Sequence, residues 1–414
     1  MIKWRIGIVT DCVPERSGLQ EVRVKLGDGS IEPALHDTTV HEALKPGDVV
    51  LLNTTAVYLN LGTGGYHFVH AVFPRVDAQE NGDVPVPALD RYVQGMPLKA
   101  ESDEENVGRG FVARDNTDGR SPADSPRPNE GKRTGHMMKL KYTSLQRAVL
   151  AAEEENSPYH ELFLRHRSID GVPVLIGELH SMLPVAAAWL RRRDAKLRVA
   201  YVMTDGGALP ISFSRHVTAL KQLSWLCGTV TYGQAYGGDL ETMNKFTALI
   251  AARHILQADV IIVCMGPGIA GTGTPLGHTG TEAGELVNAV DRLGGTPIMI
   301  PRVSGADRRS RHYGVSHHLL VNLDIVAACP AVLPMNRHLS DAVKSVSEQQ
   351  LAHIGRSGFH RIEWLDTPAP PELESALRTY PLKISTMGRT WSDDPAFYLC
   401  VASAAEYALK MVRR

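Results

Sequence analysis

Glycine and threonine recur through residues 265–280, "MGPGIAGTGTPLGHTG", directly after the apolar run "ADVIIVC". Glycines let backbone N–H groups turn toward a ligand, and threonines add hydroxyl donors. A helix starting behind the loop contributes the positive end of its dipole. The chemistry this pattern suits is the holding of an anion. In that reading Gly266, Gly268, Gly271, Gly273 and Gly277 shape the backbone, while Thr272, Thr274 and Thr279 donate. The supporting cation would be Arg302, Arg308, Arg309 or Arg311, from the loop after the next strand.

Gly266, Gly268 and Gly271 also match G-x-G-x-x-G, the phosphate-binding turn of dinucleotide folds. In that turn the helix begins within the glycines. Here Gly273, Pro275 and Gly277 postpone it, and the spacing predicts a helix over 280–293 capped by Thr279, with Glu282 completing a capping box. The next strand ends in Arg302 rather than an acidic residue, so the ribose partner expected for NAD is missing. No Lys follows the glycines, which excludes a P-loop. Nicotinamide-dinucleotide binding is kept as an alternative only.

Three residues stand where a catalytic acid, base or oxyanion donor would be placed. Asp205 of "TDGGALP" lies just past a strand and is equally an ordinary Asp-Gly turn residue. His180 of "GELHS" precedes Ser181, a candidate N-cap for the following helix. His278 lies inside the glycine-threonine loop. No G-x-S-x-G elbow is present. The histidines at 67, 312, 317 and 318 do not fall at H-x-x-x-H or H-E-x-x-H spacing, so no dedicated zinc site is expected. Lys139 of "MMKLK" faintly echoes a biotin-acceptor lysine but carries no reading.

The elements that must position these residues fall into two patterns. Residues 1–76 read as short strands with Asp-Gly and Pro-Gly turns, "QEVRVKL" alternating apolar and polar residues, which predicts a small N-terminal β-barrel or β-sandwich. Residues 77–133 are polar and rich in Pro, Asp, Ser and Gly, and read as a mobile insertion or linker; regular structure is not expected over 98–133. Residues 134–414 alternate strands and helices. The strand candidates are "VPVLIG", "LRVAYVM", "GTVTYG", "ADVIIVCM", "TPIMI", "IVAACPAVL", "HRIEWL" and "LKIST". Helices are expected over "TEAGELVNAVDRLGG" and from an Asp239 cap through "DLETMNKFTALIAARHILQ". Continuous apolar strands between amphipathic helices predict an α/β fold: a mostly parallel, Rossmann-like sheet covered on both faces. Ligands then bind beyond the carboxyl ends of the strands. The loops at those ends are rich in Gly, Asp, His and Arg, whereas the opposite loops are plain.

Composition narrows the function classes. The chain has 414 residues, 43% hydrophobic and 21% charged, with formal net charge −1. No global basic field exists to draw nucleic acid, and no apolar run suits a membrane span. The five scattered cysteines read as free thiols and, with the absence of a leader-like start, suggest a cytoplasmic protein. Homo-oligomer formation is left open.

With these segments in view, the chain resembles an uncharacterised bacterial family, domain of unknown function number 3866. The stretches that carry the match are "LNTTAVYLNLGTGGYHFV", "HMMKLKYTSLQ", "IVCMGPGIAGTGTPLGHTG", "VSHHLLVNLDI" and "STMGRTWSDDPAF". The resemblance brings no activity or catalytic residue with it. The functional expectation therefore comes from the residues: an anionic, phosphate-bearing small molecule held by the loop, with hydrolase or transferase chemistry as its extension. The rival is a metabolite sensor or assembly protein without catalysis. The cofactor is unknown. A second Gly/Thr-rich stretch, "NTTAVYLNLGTGGYHF", is a candidate cover for the site or simply a pair of hairpin turns.

Overall fold

The computed structural model describes residues 2–15, 19–38, 40–60, 65–73 and 135–413. The expected insertion at 77–133 and the glycines at 62 and 64 of the possible cover lie outside them. Two compact units divide at Leu150 and Ala151, so the short hairpin β6 (Met137–Lys139) and β7 (Arg147–Val149) belongs with the N-terminal unit rather than the α/β unit.

In the N-terminal unit, β1 (Trp4–Cys12), β2 (Leu19–Leu26), β3 (Ile31–Asp37), β4 (Val49–Asn53) and β5 (His67–Phe73) close into a barrel in the order β1-β2-β3-β5-β4. Period-2 alternation decides which residues face inward: Val22, Val24 and Leu26 are buried while Arg23 and Lys25 are exposed. Those side chains meet Val9, Val50, Leu52 and Val69 in the barrel core. Closure removes the open strand edges that five short strands would otherwise present. Lys139 on β6 is fully buried, which gives no exposed acceptor lysine there.

The second unit is built on eight strands: β8 (Pro173–Gly177), β9 (Val199–Thr204), β10 (Gly228–Tyr232), β11 (Leu240–Thr242), β12 (Val260–Met265), β13 (Thr296–Met299), β16 (Val332–Asn336) and β17 (Arg361–Leu365). Between β13 and β16, the short β14 (Val303–Ser304) and β15 (Gly314–Val315) form a separate hairpin. The large sheet runs β11-β10-β9-β12-β8-β13-β16-β17, and its pairs are parallel. Strands β8, β9, β10 and β12 are buried at every residue, as parallel strands covered on both faces must be. One face packs helices such as Glu282–Arg292 and the other Met182–Arg193 and Pro395–Val412. The chain leaves β8 toward the β11 edge and leaves β12 toward the β17 edge. Because β8 and β12 are neighbours, their carboxyl ends flank a topological switch point.

Three local expectations are corrected. "LKIST" is not a strand; only Thr386 bridges, to Arg389. In "IVAACPAVL", Ile325 and Val326 close a π-helical turn and the strand starts at Val332. Asp239 does not cap a helix: its carboxylate accepts from the Thr229 amide at 2.9 Å and pairs with Lys221, while Leu240–Thr242 forms the edge strand. The helix begins at Lys245 under a capping box made by Asn244 and Thr247. Asn244→Ala should therefore lower stability by about 1 kcal/mol in urea unfolding, because two amides lose their acceptor.

Candidate functional site

The glycine-threonine loop turns its hydrogen bonds on itself. The Thr279 amide donates to the Ala270 carbonyl at 2.9 Å, and the Ala270 amide donates to Thr279 Oγ1 at 3.1 Å. Further out, the Thr272 amide reaches the Gly277 carbonyl at 2.7 Å, and the Gly277 amide reaches Thr274 Oγ1 at 3.1 Å. The result is a small hairpin with Gly271 bridged to His278 and an exposed tip over 270–276. These amides are used within the loop and not offered to a ligand. Gly273 holds φ +83° at the tip, and Gly277 is the point of closest approach: a Cβ there would sit 2.1 Å from Thr272 Oγ1.

The expected Thr279 cap is also corrected. Thr279–Thr281 form a 3₁₀ turn and the helix starts at Glu282, with no side-chain cap from Thr281. The Glu282 carboxylate does not reach back to close a box; it accepts from the Tyr232 hydroxyl at 2.9 Å. Burial pushes its pKa up, against hydrogen bonds from Thr204 and Tyr232. A carboxylate in the first turn stands where a dinucleotide's pyrophosphate would lie, which opposes the NAD alternative. The switch-point depression itself is lined by Glu178, Thr204, Met265, Thr279, Gly280 and Glu282.

The three expected catalytic residues all lie at the carboxyl edge, and none of them lines this depression or the one beside Arg302. Asp205 accepts from the Gln234 amide at 2.6 Å and so ties the end of β9 to that of β10. His180 Nε2 lies 2.5 Å from Ser214 Oγ, and its Nδ1 lies 3.3 Å from both the Met265 carbonyl and the Tyr201 hydroxyl. Ser214 also caps the helix Arg215–Gln222 by accepting from the Val217 amide. Ser181, expected as a cap, makes no capping bond. Burial first, then the nearby His216, push the His180 pKa down to about 4, with the Met265 carbonyl opposing.

His278 belongs to a different group. Its ring stacks on His318 at 3.8 Å, and His317 and His312 lie 4.2 and 5.1 Å from His318. The hairpin β14–β15 brings this cluster together. It returns the chain so that His312 and the helix His317–Val321 close over Arg302, whose carbonyl accepts from the Ser316 amide at 2.9 Å. One ring nitrogen from each of His312, His317 and His318 lies within 4.8 Å of the others, so these three are the residues that could hold a metal. Burial lowers the pKa of all four imidazoles, helped by Arg302 and by one another, to about 3 for His312 and about 2 for His318.

Arg302, 7% exposed, donates through Nη1 to His318 Nδ1 at 3.0 Å and to Glu178 Oε2 at 3.4 Å. Among the described residues its Nε and Nη2 have no protein partner, and Arg302 lines a second, small depression with Ser304, Asp307, His312, Arg389 and Asp394. There Asp307 is chelated by Arg309 at 2.8 and 3.0 Å, which holds its carboxyl well below the usual range. Arg389 bridges Asp307 and Asp394.

Sequence reasoning expected the site at this edge, with Arg302 and His278 among its residues, and the structure places both there. It missed Glu178, Glu282, Asn322, Asp394 and the gathering of His312, His317 and His318. These residues meet through long-range packing, and no local spacing announces them.

The fold defines an α/β protein whose parallel sheet follows a small β-barrel in the sequence. The chain belongs to the family described as "Protein of unknown function (DUF3866)", whose model matches residues 34–405. No curated protein and no solved structure matches it. Among the described residues no helix is long and apolar enough to cross a membrane.

Two outcomes are expected here. The His180 pKa of about 4 lies below the ordinary 6.5, so the unfolded chain takes up a proton that the folded one refuses. Its stabilising contribution is complete above pH 6.5 and falls as pH drops toward 4, by on the order of 2–3 kcal/mol. Thermal unfolding between pH 8 and 5 should show this loss, and His180→Gln should flatten the slope. Gly277→Ala should open the loop, costing about 1–3 kcal/mol and making 270–276 a preferred site of proteolysis.

Proposed function

We propose that the α/β unit binds a small anionic molecule, phosphate-bearing or carboxylate-bearing, at the carboxyl edge of its sheet, with Arg302 as the cation. One observation carries this reading. Arg302 is nearly buried, yet among the described residues two of its donor groups have no protein partner, and the residue lines a depression. A buried guanidinium with spare N–H groups is suited to bidentate capture of an oxyanion. The loop contributes through its base, where the buried His278 stacks on the His318 ring at 3.8 Å.

Binding is favoured here over hydrolase or transferase chemistry. Asp205, His180 and His278 are engaged at separate places along the edge, whereas general acid-base catalysis needs them around one reacting atom. This supports the sensing role.

Calorimetric titration with inorganic phosphate, sugar phosphates, nucleotides and small carboxylates tests the proposal. One class should bind, and at 100 times its dissociation constant should add about 2.7 kcal/mol of stability. The Glu178→Gln/Arg302→Met double variant, which leaves no buried charge unpaired, should lose at least tenfold in affinity. Equal binding by that variant, or no anion bound by the folded wild type, overturns the reading.

A further inference from the structure

We propose that His312, His317 and His318 form a three-imidazole site for a divalent transition ion, of the zinc class, with at least one coordination position open to an exogenous ligand. The inference goes beyond anion binding and does not depend on it.

Geometry carries it. One ring nitrogen from each of the three residues lies within 4.8 Å of the other two. A tetrahedral ion with bonds of about 2.1 Å needs its ligand nitrogens somewhat closer than that, a contraction that side-chain rotation can supply. The rings are held from behind. His312 Nδ1 lies 2.9 Å from Ser316 Oγ, and with that hydroxyl accepting, the Nε2 lone pair is left to face the site. The same serine caps the helix that carries His317 and His318 by accepting from the His318 amide.

A second, independent observation points to a ligand. His317 Nε2 is buried and makes no hydrogen bond among the described residues, and His278, only 7% exposed, has no more than a loose contact with the Pro275 carbonyl. Buried imidazole nitrogens are ordinarily paired. An ion would satisfy His317 directly, and a water or anion on the ion's open position would give the stacked His278 a partner.

Chemistry narrows the ion. Three imidazoles suit zinc, copper, nickel or cobalt, and not magnesium or calcium, which take oxygen ligands. Carboxylates offset part of the positive charge around the site: Arg302 pairs with Glu178, Arg309 with Asp307, and Arg389 with Asp307 and Asp394, while Arg311 adds a positive charge beside His317 that the ion must bind against. His318 Nδ1 now accepts from Arg302, so a metal that takes this lone pair displaces that hydrogen bond and leaves Arg302 to Glu178. Arg302 is therefore a competitor of the metal, whereas it is the anchor of the anion.

The experiment uses the untagged full chain, stripped with a chelator and titrated with Zn²⁺ alone, without any anionic metabolite. One Zn²⁺ should bind per chain, and Mg²⁺ should not compete. His317→Gln and His318→Gln should each weaken binding at least tenfold while keeping the wild-type circular dichroism. His317 is half-buried and the safer of the two for folding. The Glu178→Gln/Arg302→Met variant should bind Zn²⁺ as tightly as the wild type or more so, even as it loses phosphate. Absence of Zn²⁺ binding by the folded wild type overturns the site. So does binding that survives His312→Gln/His317→Gln/His318→Gln, or that disappears only on alkylating the half-buried thiols of Cys12 and Cys227. A loss of phosphate binding with Zn²⁺ binding intact, or the reverse, separates this inference from the anion reading.

Discussion

Glu178 is a carboxylate 1% exposed, placed where β8 ends and the sheet gives way to loops. Burial pushes its pKa up, and the groups opposing that rise are Arg302 and Asn322. Asn322 Nδ2 donates to Glu178 Oε1 at 2.9 Å and to the Gly280 carbonyl at 2.9 Å, so one amide joins the end of β8 to the end of the glycine-threonine loop. Arg302 joins the same carboxylate to the loop after β13 and, through His318, to the imidazole cluster. Removing one partner of such a buried pair costs about 3–5 kcal/mol, because the other charge is left without water or counter-charge. Four chain segments are thus fixed against one another by one carboxylate.

This arrangement follows from a sheet buried on both faces. Along β8, β9 and β12 no residue can carry a polar head to water. Polar groups can emerge only past the last strand residue, and they do so together: Glu178 after β8, Asp205 after β9, Arg302 after β13. The direction in which the chain leaves each strand then decides their neighbours. Because β8 and β12 send the chain opposite ways, a gap opens between their ends, bordered by the ends of β8, β9 and β12 and the start of the helix Glu282–Arg292. The polar chemistry is split between two depressions, an acidic one at Glu178 and Glu282 and a mixed one at Arg302, Asp307 and Asp394.

Backbone hydrogen bonding decided the fate of the loop that looked most functional. A run of glycines and threonines has as many acceptors as donors, and a hairpin satisfies both locally. Composition alone does not distinguish a loop that presents its amides to a ligand from one that pairs them across itself. The exposed tip follows from that pairing, and the loop's buried contribution is its base at His278 and Gly280.

Much of this was legible in the chain itself, for a physical reason. Alternation in "QEVRVKL" and unbroken apolar runs such as "VIIVCM" are local consequences of having one buried face or two, so a small β domain, barrel or sandwich, and a parallel sheet could both be read from the sequence. The strand-end loops, with Arg302 and His278 in them, follow from the same reading. Helix starts were less legible: Thr279 and Asp239 have cap chemistry, but the Ala270 and Thr229 amides, nine and ten residues back along the chain, take their oxygens. What tertiary structure alone decided is which polar residues meet. His278 and His318 are forty positions apart in sequence and stacked in space, and Glu178 reaches Arg302 and Asn322 only because β8 lies between β12 and β13. Strand order is set by the packing of whole helices onto a sheet, a long-range quantity that no spacing of residues encodes.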